Sequence, residues 1–155
     1  MPASLPLVRR ATAADAPALA RMRWDWRVDH GEVPDVDAAT YERDLAAWCA
    51  AHQDSHLGFV VELDGTVVGM AWLAIVERVP GPGSWLRLSG YLQSVYVEPE
   101  HRNVGVGAVL VGALIDEARA RGLDYLAVHP SEASMDLYGR LGFAPYGRAL
   151  ELRFT

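Results

Sequence analysis

The sequence predicts a mixed α+β fold, one sheet of mixed polarity with helices on both faces. Three observations carry this. Asp64-Gly65 stands between two apolar runs, 58–63 and 66–73, and that dipeptide favours the tight turn of an antiparallel hairpin. A strand-like run at 91–97, a helical period over 104–120 and a short apolar run at 124–129 then follow in order, the pattern of a parallel pair joined by a right-handed crossover. The 155 residues, 51% hydrophobic and 22% charged, hold enough apolar surface for one core, and a single domain over 1–155 is expected.

Taken in order, the run Leu-Pro-Leu-Val at 5–8 reads as a first strand. Thr12 before Ala13, Ala14 and Asp15 is a helix N-cap with an acidic first turn. Ala16, Leu19, Ala20 and Met22 continue at helical spacing, and Gly-Glu-Val-Pro at 31–34 breaks the period. A second helix is predicted over 38–52, with Tyr41, Leu45 and Trp48 on one face. After the hairpin, Val-Pro-Gly-Pro-Gly at 79–83 can only be a loop. Pro99 ends the strand at 91–97; Leu110, Leu114 and Ala118 mark the buried face of the helix at 104–120, and Gly122 stops it. Pro130-Ser131 opens a further helix that ends at Leu141-Gly142, and two strands, 143–146 and 149–154, are expected to close the chain.

Charge excludes several functions. Net charge is −6, and all 14 basic residues are Arg. An acidic chain with no basic block is unsuited to nucleic acid, which is held by phosphate neutralisation. A chain without Lys has no P-loop lysine and no Schiff-base lysine, so pyridoxal-phosphate chemistry is excluded. Cys49 is the single cysteine, which leaves no internal disulfide and no multi-cysteine zinc site. No apolar run approaches the roughly 20 residues that cross a bilayer, and 1–10 lacks a signal-peptide core, so a cytoplasmic protein without membrane contact is expected.

The chemistry concentrates after the strand at 91–97. There Arg102-Asn103-Val104-Gly105-Val106-Gly107-Ala108 leads from a loop into a helix. The first turn of a helix carries unpaired N–H groups and the positive dipole end, two glycines admit a bulky diphosphate, and Arg102 adds a fixed positive charge. Together these form a pyrophosphate cradle. A dinucleotide fingerprint does not fit, because Leu110 occupies the third glycine position and His129-Pro130 follows where an acidic residue would end the next strand.

The stretch Arg102-x-x-Gly105-x-Gly107, preceded by Val95-Tyr96-Val97-x-Pro99, resembles the acyl-CoA-binding motif of the GCN5-related N-acetyltransferases, and Leu137-Tyr138-Gly139-Arg140-Leu141-Gly142-Phe143 resembles a second block of that superfamily. The resemblance covers 91–146 closely. It implies a mostly antiparallel sheet whose central parallel pair splays to admit acyl-CoA. It further implies that backbone groups of Val95 and Val97, with Tyr96 between them, face the pantetheine arm, while Arg102, Asn103, Val104, Gly105, Val106, Gly107 and Ala108 hold the pyrophosphate. Acetyl-CoA is then the co-substrate and no metal is required. Tyr138 matches the residue that gives a proton to the departing thiolate. Ser131 stands where relatives often carry Asn; it serves either a pantetheine carbonyl or the helix cap.

Other residues carry two readings. Tyr138 is either the proton donor or a core aromatic of an amphipathic helix. His129, at a strand end, either relays a proton from the amine or is a structural histidine. Trp24, Asp25, Trp26, Asp29, His30 and Glu32 cluster at the first helical joint, which in the family overhangs the acceptor; aromatics with carboxylates there suit a cationic amine, small or peptidic. His52 and His56 lack a third ligand for a metal. The expected activity is direct acetyl transfer from acetyl-CoA to a primary amine. A noncatalytic acyl-CoA sensor or interaction module on the same fold is the alternative, and a homodimer is left open.

Overall fold

Asp64, at φ 50°, and Gly65, at φ 75°, reverse the chain as the sequence predicts, and the hairpin they form is the centre of the structure. A computed structural model describes residues 4–155. Five strands lie in the sheet in sequence order: β1 (Leu7–Arg10), β2 (His56–Leu63), β3 (Thr66–Arg78), β4 (Arg87–Val97) and β5 (Leu126–Ala127). The pairs β1–β2, β2–β3 and β3–β4 are antiparallel; β4–β5 is parallel. The helices are α1 (Ala16–Asp29), α2 (Ala38–Ala51), α3 (Val106–Ala120) and α4 (Met135–Arg140).

Each face of the sheet has its own apolar layer. Leu19 and Met22 of α1 pack on Val60, Met70 and Trp72, with Leu45 and Cys49 of α2 behind them. On the other face, α3 buries Val106, Leu110, Val111, Leu114 and Ala118 against Leu57, Phe59, Val61, Val68, Leu73 and Leu92, and Tyr138 of α4 closes that layer. Leu110 and Leu114 are fully buried, so truncating either to Ala removes about 2–5 kcal/mol.

Several boundaries shift from the sequence reading. β3 and β4 extend four or more residues further towards 79–86 than the apolar pattern implied, because a long hairpin needs only backbone pairing at its tip: Arg78 still opposes Arg87. The helix α3 starts at Val106, after a left-handed Gly105, rather than at 104. The strands expected at 143–146 and 149–154 are not formed. Tyr146, Leu150, Leu152 and Phe154 are all largely exposed, and β5, only two residues long, offers little ladder for a further strand. The parallel pair therefore lies at the open end of the sheet instead of near its middle.

A partly buried ionic knot ties the N-terminal strand down. Arg9 donates to Asp15 at 2.7 and 2.9 Å and to Glu62 at 2.8 and 2.5 Å, while the Thr12 backbone N–H donates to Asp15 at 2.7 Å. The guanidinium holds the Asp15 carboxyl below its usual range, and its own proton is bound more tightly in return.

Candidate active site

β4 carries one residue too many. Met70 pairs with Tyr96 and Trp72 with Gln93, so two steps along β3 answer three along β4, and Ser94 takes up the excess at φ 52°. A bulge of one residue inverts which backbone groups face which neighbour. Before it, the Gly90 N–H donates to the Tyr125 carbonyl at 3.0 Å and Leu88 accepts from Asp124 at 2.8 Å, so even-numbered residues face β5. After it, the Glu98 N–H donates to Val68 at 2.9 Å, so even-numbered residues face β3. By strand alternation the backbone groups of Val95 and Val97 then point to the β5 side. Pairing with β5 involves only Gly90 and Tyr91, opposite Leu126 and Ala127. Among the described residues, no strand pairs with the edge beyond them, through Val95 to Val97.

That edge runs on, through the loop after β4, to the start of α3. Asn103 at φ 61° and Gly105 at φ 91° are both left-handed, and they turn the chain so that the N–H groups of 105–108 have no acceptor within the helix. Conformation explains Gly105, since a Cβ built on it meets nothing within 4 Å. Gly107 differs: its Cβ would lie 3.5 Å from Leu137 Cδ2, where α4 crosses the helix start. Arg102 is exposed; its Nε donates to the Val97 carbonyl at 2.7 Å and its guanidinium carbon sits 5.2 Å from the Tyr96 ring centre, leaving the terminal nitrogens for an anion. Val104 and Ala108 flank this turn, with Val106 buried beneath it.

Tyr138 is 5% exposed, packed edge-on against Phe143 at 5.4 Å, and burial pushes its phenol up to about 12. Its proton is therefore firmly held at neutral pH. Ser131 stands at the N-terminal end of the short turn 132–134, but its side chain makes no cap hydrogen bond; its Oγ shares a hydrogen with Ser134 Oγ at 3.0 Å. His129 is exposed beyond β5 and meets Tyr91 edge-on at 5.5 Å. Burial, then the charge of Glu151, raises the Tyr91 phenol.

The helical joint divides its residues. Trp26 stacks on Tyr96 at 5.8 Å, which brings α1 directly over β4, whereas Trp24 turns onto Tyr41 of α2 at 5.7 Å. His30 Nδ1 donates to the Trp26 carbonyl at 2.7 Å; Glu32 is ion-paired to Arg27, Asp25 lies 3.8 Å from Arg21, and Asp29 is exposed. Two residues that sequence reasoning did not single out sit where α1 meets the bulge: Ser94 itself and Arg23, which donates to the Ser94 hydroxyl. Nothing in a run such as Gln-Ser-Val-Tyr signals a bulge, and Arg23 reads as an ordinary charge on a helix face. His52 and His56 surround Trp48, with ring centres 4.4 and 5.0 Å from it. Among the described residues, Glu98, Glu100 and His101 bring ligand atoms within 4.8 Å of one another, and Glu98 is already bonded to Arg21 at 2.6 Å.

Comparison with known proteins assigns the family. The model of the acetyltransferase (GNAT) family matches residues 18–143. The chain is 30% identical to the L-methionine sulfoximine/L-methionine sulfone acetyltransferase of Salmonella typhimurium, over 95% of this chain and 91% of that protein. It is 32% identical to the glucosamine 6-phosphate N-acetyltransferase of Trypanosoma brucei brucei across 57% of this chain, and spans 58% of that relative's length. A predicted acetyltransferase from Clostridium acetobutylicum, crystallised with acetyl-CoA, superposes with a TM-score of 0.77 at 21% identity, covering 96% of both chains, which supports the fold. A GCN5-related N-acetyltransferase from Ralstonia eutropha superposes with a TM-score of 0.71 at 25% identity, over 96% of this chain and 99% of that one. The chain belongs to the GNAT family of acetyltransferases. No helix among the described residues is long and apolar enough to cross a membrane.

Proposed function

We propose that residues 1–155 work as one N-acetyltransferase domain that moves the acetyl group of acetyl-CoA directly to a primary amine. The observation that carries this reading is the continuity between the β4 edge at Val95 and Val97, which has no strand partner among the described residues, and the left-handed turn at Gly105, a backbone track that ends in free N–H groups. A pantetheine arm has amides to pair with such an edge. A diphosphate has oxygens to fill the helix start, with Arg102 beside it and Asn103, Val104, Val106, Gly107 and Ala108 forming the turn. The residues present therefore fit the co-substrate.

The co-substrate supplies an acetyl thioester whose C–S bond breaks as the C–N bond to the amine forms. Backbone N–H groups near Val97 polarise the thioester carbonyl, as an oxyanion hole does. Tyr138, which keeps its proton at neutral pH, gives it to the departing sulfur. The amine proton leaves through His129 or water. The acceptor enters beneath the joint of α1 and α2, where Trp24, Asp29, His30 and Glu32 line the approach. Small amines bearing further polar groups are the favoured class, since the related proteins named above act on an amino-sugar phosphate and on amino-acid analogues. Thiol release from acetyl-CoA, measured with a panel of amines, tests this. Release with at least one amine is expected; binding of acetyl-CoA without release from any of them would favour the sensor alternative.

A further inference from the structure

We infer that Arg23 is the specificity-determining residue of the acceptor site and that the acceptor carries an anionic group, of the carboxylate class, close to its amine. This rests on the transferase reading above. Arg23 is half-buried on the face of α1 turned towards β4, and its guanidinium donates to the hydroxyl of Ser94, the left-handed bulge residue.

Three features separate Arg23 from the other arginines of the joint. Arg21 and Arg27, two positions before it and four after it, are spent on Asp25 and Glu98 and on Glu32. Arg23 has no carboxylate within ion-pairing distance among the described residues. Its neighbours are hydroxyls, the Ser94 Oγ and the Tyr41 phenol towards which its charge is directed. A half-buried guanidinium with neutral partners is incompletely compensated, and a carboxylate or phosphate is the group that matches its fork.

The location makes that anion useful. The bulge is where the β4 edge turns its backbone away from β3, so a thioester laid along that edge would lie beside Ser94. An α-amino acid separates nitrogen from carboxylate by one carbon. Holding the carboxylate on Arg23 therefore keeps the amine at the bulge, and a simple alkylamine has no such handle. Tyr41 and Trp24, tilted against each other with ring centres 5.7 Å apart, form an aromatic wall next to it.

The test compares L-amino acids with their α-carboxamides as acceptors, for the parent and for Arg23→Gln and Arg23→Lys. The parent should favour the acid over the amide by about 10- to 100-fold in kcat/KM, as expected for a charge-assisted contact. Arg23→Gln should erase that ratio without changing the KM for acetyl-CoA, and Arg23→Lys should restore part of it as a point charge. An Arg23 that merely ties α1 to the bulge would slow acid and amide alike, and that result, or a parent indifferent to the carboxylate, overturns the inference while leaving the transferase reading intact. If Arg23→Gln does not fold, the parent's ratio and the Lys variant decide. A parent that releases no thiol with any amine overturns the transferase reading itself, and this inference with it.

Discussion

The Nε of Arg102 donates to the carbonyl of Val97 at 2.7 Å, so the residue that follows the loop is clamped to the strand that precedes it. The same guanidinium lies 5.2 Å from the Tyr96 ring centre, and Trp26 stacks on Tyr96 at 5.8 Å. One column thus links α1 to the turn before α3. Replacing Arg102 with Ala should weaken acetyl-CoA binding by about 10-fold or more, the scale of one charge-assisted contact. Lys should recover little, because it can neither clamp Val97 through a fork nor stack in the same way. Calorimetry of both variants at low and high salt checks this; equal affinity for parent and Ala variant would exclude Arg102 from the site.

Gly105 yields a second prediction, in which conformation and access separate. At φ 91° a β-branched side chain is strained by about 1–2 kcal/mol even in open space, so Gly105→Val should lower the melting temperature and weaken acetyl-CoA binding together. Asn tolerates left-handed backbone. Gly105→Asn should therefore melt close to the parent and still bind acetyl-CoA more weakly, because its side chain occupies the space a phosphate would take. If Gly105→Val binds as tightly as the parent, the turn is not the pyrophosphate site.

The turn was legible in sequence because its requirements are written in residue types: glycine where φ is positive, an arginine beside free N–H groups. The hairpin at Asp64-Gly65 was legible for the same reason. The tail was misread because alternation such as Leu150, Leu152 and Phe154 says only that a strand is compatible, while pairing depends on a partner, and β5 is two residues long. The bulge at Ser94 left no trace, since any small polar residue suits it, and with it went the position of Arg23. Carboxylates at the joint looked available in sequence; Asp25 and Glu32 lie beside Arg21 and Arg27, a pairing set by helix geometry and the chain turn rather than by composition.

The knot of Arg9, Asp15 and Glu62 predicts how stability depends on acid. Asp15 is 6% exposed, and the hydrogen bonds from Arg9 hold its carboxyl below the ordinary aspartate value in the folded state. The folded protein therefore binds this proton less readily than the unfolded chain does. The resulting stability is fully present above the unfolded value and is lost as pH falls through the folded one, so the loss belongs below about pH 4. Breaking a buried pair by removing one partner costs about 3–5 kcal/mol, and the partial exposure of Arg9 brings this nearer 2. Arg9→Met should accordingly destabilise the protein at neutral pH and flatten its acid-denaturation profile. Urea melts across pH 2.5–7 decide it: parallel profiles for parent and variant would remove the knot from the stability of the N-terminal strand.

Tyr138 offers the sharpest separation of packing from chemistry. Its ring is held edge-on by Phe143 at 5.4 Å, and Phe143 donates its backbone N–H to the Tyr138 carbonyl at 3.0 Å, so both contacts survive in Tyr138→Phe. Only the hydroxyl is lost. Affinity for acetyl-CoA and the melting temperature should stay near those of the parent, while turnover should drop by about 10²–10⁴-fold, the usual worth of a general acid. Burial pushes this phenol up to about 12, so it remains protonated throughout pH 6–10 and adds no basic limb to the parent's rate profile. The Phe variant should thus follow a profile of the same shape, displaced downwards. A turnover number equal to the parent's, with acetyl transfer shown to be rate-limiting by single-turnover kinetics, would leave Tyr138 as a core aromatic and pass the sulfur's proton to water.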